Sequence, residues 1–559
     1  MKKIISLLLA LCIILVSMPI ALAADLNTSG ACDDPVIYIG GDSSDIYYDN
    51  DTKKFRIDDI FCLLDGEDEG DKSKISEAAF NILLPFILEG IAFNKWDNYY
   101  AAVEKEIGEI FEPIRLDENG NVPENSDSGI GQAALADRNW KMTHNNVDRN
   151  GKYTEGAYRY NYDWRLDPIE LADDLHEFIE GVKAATGRSR VSITCKCLGT
   201  NVVLAYIYKY GTDSLKGVGI DVATSNGADF LSGIISGDFG VDGNSMVRLI
   251  SDLGVFEKDI SISPMVTSTI ELLSNTGVLD TLSAVSRKLV YEKIEYGIIS
   301  ALATSTFLTM PCYWALVTTE DFEKALVYVF GEEGSEKRIK YAGLIEKITV
   351  YNETIKKNVD EIMKSIKVPD ENGRSANLCI VSKYGTQMVP LLKDGSIVGD
   401  QYVSANKSSF GATTSTVYNT LSDEYIAERT ALGLGKYISP DKQVDASTCL
   451  FPDYTWFIKG CSHGFYSEDE RNLILTVIDA NSQLCIDDFY WTQYIVFDHD
   501  TRTSQPMTEE NCHNENWKAD EKLEKPQTKA ERLIAFLRSL FSWFKTLFQT
   551  LAEKRAQAA

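Results

Sequence analysis

The chain has 559 residues, 44% of them hydrophobic, with 83 acidic against 55 basic side chains and a formal net charge of −28. That balance argues against a nucleic-acid partner, because a phosphate backbone is bound by clustered positive charge, and it reads most simply as a source of solubility. The length exceeds what one compact core needs and no internal repeat is evident, so one large domain with a long insertion fits better than a string of modules.

At the start, Met1-Lys2-Lys3 is charged, residues 4–16 are almost wholly apolar, and Ala21-Leu22-Ala23 carries the small-x-small pattern read by signal peptidase. Residues 1–23 are therefore expected to be a signal peptide and the protein to be secreted, with association at the cell surface left open. Cys12 follows Leu11 inside the apolar stretch, a context unlike that of a lipidated cysteine. No later stretch approaches the roughly 20 uninterrupted apolar residues that span a bilayer. Ten cysteines lie beyond the leader, and export permits disulfides, but their spacing defines no pairing.

Pro35-Val36-Ile37-Tyr38-Ile39 followed by Gly40-Gly41 predicts a buried strand running into a tight, small-residue loop. A loop-rich acidic stretch with scattered tryptophans follows, to about residue 157. The pattern then becomes regular. Asp167-Pro168-Ile169-Glu170 supplies an N-cap, a proline at the first helical position and a capping glutamate. Leu171, Leu175, Phe178, Ile179 and Val182 recur at helical spacing, and Gly187 ends the helix. Val191-Ser192-Ile193-Thr194 predicts a short strand and Cys195-Lys196-Cys197-Leu198-Gly199 a turn. Asn201 to Tyr210 predicts a helix closed by Gly211, and Val218-Gly219-Ile220-Asp221-Val222 another strand. Helix and strand alternating at these lengths mean a parallel sheet with right-handed crossovers. From about Asp229 to Val368 amphipathic helices dominate, for example Met265 to Leu273 and Phe322 to Val329, and the block reads as a cap inserted between sheet strands. The sheet resumes at Leu378-Cys379-Ile380-Val381. A strand-like Tyr454-Thr455-Trp456-Phe457-Ile458 then precedes a final helix, which opens with the capping box Ser467-Glu468-Asp469-Glu470.

A strand, a sharp turn and an immediate helix are the geometry of the nucleophile elbow, written G-x-S-x-G in α/β-hydrolases. Cys195-Lys196-Cys197-Leu198-Gly199 occupies that place, so Cys197 is the expected nucleophile. Unpaired amides at the start of a helix bias a thiol there toward thiolate. The alternatives are a buried inert or disulfide-bonded cysteine, and a CxC metal site, for which the sequence offers no second close pair. Gly460-Cys461-Ser462-His463-Gly464 matches G-x-S-x-G letter for letter, but its helix begins only at Ser467, so Ser462 lacks the elbow context. His463 fits the base instead, since in this fold the base follows the last strand and the chain order is nucleophile, acid, base. Of the other histidines, His176 lies on the polar face of a helix, His144 and His499 in polar loops, and His513 close to the tail. The expected acid is Asp400 in Gly399-Asp400-Gln401-Tyr402-Val403, with Asp394 in Lys393-Asp394-Gly395-Ser396 as its rival.

These segments together resemble the lecithin:cholesterol acyltransferase-like family of lipid acyltransferases and phospholipases. Pro35 to Asp42 is similar to that family's opening strand and oxyanion loop, PVxxVPG. Tyr162-Asp163-Trp164-Arg165 is similar to its YDWR segment, the most specific motif of the set. Ala223-Thr224-Ser225-Asn226-Gly227 resembles its strand end before the cap, Gly399 to Val403 its GDGTV acid loop, and His463 its base. The resemblance touches the chain in pieces from about 35 to 480 and leaves the cap and tail uncovered. It implies an α/β-hydrolase fold, a mostly parallel sheet flanked by helices. The expected parts are a core at 24–228 and 371–515, a helical cap at 229–370, and a linker with an amphipathic helix at 516–559. By role, Cys197 would attack an acyl carbonyl, His463 would move the proton and Asp400 would orient the imidazole, while the amides of Leu198 and Asp42 would hold the oxyanion. A lipid or other acyl ester is the implied substrate, with no cofactor and no metal. Three residues depart from the family pattern: Cys197 replaces serine, Cys195 glycine and Gly40 proline. A thiolate can still carry an acyl group, and the alternative is a catalytically silent hydrolase-fold protein that binds lipid or a surface partner. The presence of both Asp400 and His463 favours the enzyme.

After Pro526, Thr528 and Glu531 form a capping box, and Leu533, Phe536, Leu537, Leu540, Phe541, Phe544, Leu547, Phe548 and Leu551 fall on one face. From Lys525 onward seven basic residues stand against two acidic ones. An aromatic apolar face with a basic polar face suits an interfacial helix near anionic lipid, so 528–551 is expected to lie on a membrane or to dock on a partner.

Overall fold

The computed structural model describes residues 31–41, most of 95–123, most of 150–239 and most of 297–512, with short pieces at 46–48, 54–55, within 81–89 and at 133–135. The leader 1–23, Asp42, Asp394, the histidines 144, 499 and 513, the helix expected from Met265 to Leu273 and the tail from 516 lie outside the described residues.

Eight strands form one sheet: β1 (Val36–Ile39), β2 (Tyr158–Arg159), β3 (Val191–Cys197), β4 (Leu215–Ala223), β5 (Asn377–Tyr384), β6 (Thr455–Lys459), β7 (Tyr494–Asp498) and β8 (Thr503–Pro506). Their order across the sheet is β8-β7-β6-β5-β4-β3-β1-β2. Every neighbouring pair is parallel except β7 with β8, which are antiparallel. Parallel strands need covering on both faces, and β3, β4 and β5 are buried along their whole length. Strand alternation divides the core accordingly. Ile37, Leu378 and Ile380 join the cluster built around α1 (Pro168–Thr186) and α2 (Gly199–Tyr210). Their neighbours Val36, Cys379 and Val381 join the opposite cluster under α6 (Glu468–Asp479). The chain is thus an α/β protein with a mostly parallel sheet flanked by helices.

Between β4 and β5 the described chain is helical, including α3 (Asp229–Ile235), α4 (Phe322–Phe330) and α5 (Ala342–Thr354). One polar contact ties this stretch to α2 and another holds it together internally. Tyr351 on α5 donates its hydroxyl to Asn201 Oδ1 of α2 at 2.9 Å. The buried Lys356 ammonium donates to the carbonyls of Ala315 and Val317.

Several local expectations change. Cys195 to Cys197 are the last residues of β3, a strand that runs three residues beyond its β-branched start at Val191 to Thr194. The stretch before residue 157 contains the helix Asp97–Phe111, whose Tyr99, Val103, Ile107 and Phe111 recur every fourth residue and are buried. The helix opened by Ser467 is followed by two more strands, β7 and β8. At α1, Asp167 caps by accepting from Ile169 N at 3.0 Å, and the Glu170 carboxylate pairs with Lys347 at 2.8 Å.

Candidate active site

Cys197 ends β3, and α2 starts two residues later at Gly199. Its φ is +49°, in the left-handed region. A residue with a Cβ seldom sits there unless the surroundings impose it, and such strain gathers at functional sites. Here they impose it through the carbonyl, since Cys197 O accepts from Thr200 Oγ1 at 2.7 Å and from Thr224 Oγ1 at 2.8 Å. Gly199 completes the bend. A Cβ on it would stand 2.4 Å from Gly40 O and 2.7 Å from Ile39 O, so only glycine lets the end of β1 come this close.

The loop after β1 faces the thiol. A Cβ built on Gly41 would lie 3.7 Å from Cys197 Sγ and 3.9 Å from Leu198 N. The glycine therefore leaves a small space bounded by the sulfur and the Leu198 amide. The motif at 162–165 holds that loop, which is a role the sequence pattern alone did not reveal. The Tyr162 hydroxyl lies 2.8 Å from the carbonyl oxygens of both Gly40 and Gly41 and donates toward them. Arg165 grips Asp163 through two parallel bonds, Nε to Oδ1 at 2.9 Å and Nη2 to Oδ2 at 2.6 Å, with both side chains buried. Trp164 packs edge-on against Tyr313.

Asp400 and His463 are brought together by a second pair of loops. Asp400 follows the two-residue strand Val398–Gly399, and Gln401 turns the chain at φ +98°. That turn aims the amides of Tyr402 and Val403 at Asp400 Oδ1, at 3.1 and 2.9 Å. Oδ2 is left for His463 Nδ1, at 2.8 Å. The two loops are also joined by backbone, His463 N donating to Asp400 O at 2.9 Å. Thr386 Oγ1 bridges the carbonyls of Gly399 and Cys461. Both side chains are fully enclosed, His463 at 2% exposure and Asp400 at 0%. No conventional hydrogen bond reaches His463 Nε2, and the imidazole instead feels the Cys197 sulfur. Burial works against an imidazolium, but the Asp400 carboxylate and then Cys197 outweigh it and push His463 up to about 10. A buried histidine held between a carboxylate and a thiol can shuttle a proton to and from sulfur.

Of the other candidates, Ser462 lies in coil after β6, five residues before the helix cap at Ser467, with neither strand end nor helix start beside it. His176 stacks on Tyr210 with ring centroids 3.9 Å apart. Cys195 is buried in β3 with Sγ 3.5 Å from Gly219 O, and burial pushes its thiol up. Among the described residues no group of three or more His, Cys, Asp or Glu side chains is arranged to hold a metal ion. No family model, curated protein or solved structure matches the chain.

Proposed function

We propose that the protein is a secreted lipid acyltransferase or carboxylic-ester or phospholipid hydrolase of α/β-hydrolase fold. In this reading the segment 229–370 is its cap and the reaction runs through an acyl-enzyme on Cys197. The observation that carries the reading is the convergence of three side chains from separate loops at one end of a parallel sheet. They are a cysteine bent to positive φ between strand and helix, a buried histidine acting on it, and a carboxylate 2.8 Å from the far side of that histidine. The likeness of 162–165 to the lecithin:cholesterol acyltransferase-like family supports the same assignment, because Tyr162 holds the loop opposite the sulfur.

The Cys197 sulfur, its proton passed to His463 Nε2, attacks the acyl carbonyl carbon, and the carbonyl electron pair moves onto oxygen. The Leu198 amide stabilises that oxyanion, with the amide of Asp42 as its proposed partner. Collapse breaks the bond to the alcohol oxygen, which takes a proton from His463 Nε2 and leaves. His463, now neutral, accepts a proton from water or an acceptor alcohol as that oxygen attacks the thioester, and the thiolate departs. Asp400 keeps the ring oriented throughout. No cofactor enters these steps, and the partners required are a lipid or other acyl ester and an acceptor.

Release of fatty acid from short-chain esters and from phospholipid vesicles tests this. Turnover by the wild type should fall by at least about 100-fold in His463→Gln, the range expected for loss of a general base. Turnover retained in that variant would overturn the mechanism.

A further inference from the structure

Four charged side chains are buried together beneath the elbow, on the face of the sheet that α6 covers. Lys196 stands between the two cysteines at the end of β3, 3% exposed, and strand alternation sends it to the face opposite Cys195. Its Nζ is 3.1 Å from Asp221 Oδ2 on β4 and 3.4 Å from the carbonyl oxygen of Phe465. Lys383 on β5 is wholly buried. Its Nζ lies 3.0 Å from Asp221 Oδ1, 2.9 Å from Glu470 Oε1 on α6, and 2.6 Å from Phe465 O. The Tyr466 ring lies over both ammonium groups, at 5.2 and 5.6 Å, and over the Arg471 guanidinium at 5.4 Å. The thiols of Cys195, Cys379 and Cys461 also feel this cluster.

Stability does not account for such an arrangement. Desolvating several ions works against their mutual attraction, and apolar side chains of similar size often serve a fold as well or better. Geometry gives the cluster a use. Both ammonium groups converge on one carbonyl, that of Phe465, two residues after His463. One of the two lysines is also the residue that precedes Cys197. The base loop and the nucleophile's strand are thus joined through buried charge on four elements.

We propose that Lys196 and Lys383 are positioning residues: they clamp the Phe465 carbonyl and so fix His463 against Cys197, while Asp221 holds both lysines in place and Glu470 holds Lys383. The inference rests on the acyl-transfer reading in naming His463 as the base. Burial lowers Lys196, with Asp221 and Glu470 opposing that shift and Lys383 adding to it. Burial would raise Asp221, but Lys196 and Lys383 overcome it and hold the carboxyl at about 2. Burial and the neighbouring Asp221 push Glu470 up to about 8. Lys383, despite its burial, is raised by Asp221 and Glu470.

The test is the pH dependence of Cys197 alkylation by iodoacetamide, followed by mass on the Cys197 peptide, because alkylation needs no acyl substrate. The folded full chain is compared with Lys196→Met, Lys196→Arg, His463→Gln and the charge-balanced double variant Lys383→Met with Glu470→Gln. The double variant keeps the measurement possible should a single buried lysine substitution fail to fold. In the wild type the rise of the alkylation rate should begin at lower pH than in His463→Gln. Lys196→Met and the double variant should move it upward by at least one pH unit while retaining cooperative unfolding, and Lys196→Arg should restore most of the shift. Profiles of the folded lysine variants that coincide with the wild type, while His463→Gln differs, would overturn the clamp alone. Coincidence of wild type and His463→Gln would remove His463 as the base and the clamp with it.

Discussion

At Cys197 the backbone strain, the carbonyl bonds from Thr200 and Thr224 and the two flanking glycines make separate predictions possible. Gly41→Ala would put a methyl group 3.7 Å from Sγ and 3.9 Å from Leu198 N, filling the space proposed for the acyl oxygen. The contact is ordinary for packing, so thermal unfolding should stay within a few degrees of wild type while acylation of Cys197 falls by about tenfold or more, as for a lost oxyanion contact. Equal acylation rates would contradict the position of the oxyanion space. Gly199→Ala is the opposite case. Its Cβ would meet two backbone carbonyls at 2.4 and 2.7 Å, and overpacking of that kind costs about 1–3 kcal/mol, which urea unfolding would read. His463 supplies a pH dependence whose sign follows from its shift. A histidine raised from 6.5 to about 10 stabilises the fold fully below about 6.5 and loses that contribution as pH rises through about 10. Urea midpoints should therefore fall between pH 7 and 10 more steeply for wild type than for His463→Gln, and parallel curves would contradict the charged histidine.

At the scale of elements, the hydroxyl of Tyr162 is what ties the 162–165 motif to the loop after β1. Tyr162→Phe should cost about 1 kcal/mol, the net worth of a typical hydrogen bond, yet slow acylation disproportionately, because the loop facing the sulfur would be released. A loss of stability with an unchanged acylation rate would leave Tyr162 as a packing residue. What could be read from the sequence depended on which signal set each element. The strands β3, β4 and β5 announced themselves by apolar and β-branched runs, and α6 by its Ser467 and Glu470 capping box, which forms. The boundary at Cys195 to Cys197 is hidden in the sequence because polar Lys196 looks like a turn residue, whereas its charge is buried against Asp221. The helix Asp97–Phe111 is masked in the sequence by its acidic neighbours, although Tyr99, Val103, Ile107 and Phe111 follow a four-residue period. The proximity of Asp400 and His463, 63 residues apart, was expected only from chain order and family likeness. The Phe465 clamp left no local signal, since Lys196, Asp221, Lys383 and Glu470 meet only through the sheet.

For the whole molecule, the proposal joins an acidic body to a basic tail. From Lys525 onward seven basic residues oppose two acids in a chain of net −28, and an enzyme acting on lipid would gain from a segment that holds it at the interface. Among the described residues no helix is long and apolar enough to cross a membrane. Flotation with anionic vesicles at low salt should therefore carry the full chain and leave behind a chain ending at Glu524, whereas equal flotation of both would sink the membrane role of 528–551. An acyl-thioester on Cys197 would be read by intact mass after brief exposure to an activated acyl ester and acid quench. One added acyl group is expected on the wild type, mapped to Cys197, retained in Ser462→Ala and absent from Cys197→Ala. An adduct that survives Cys197→Ala but disappears in Ser462→Ala would contradict it.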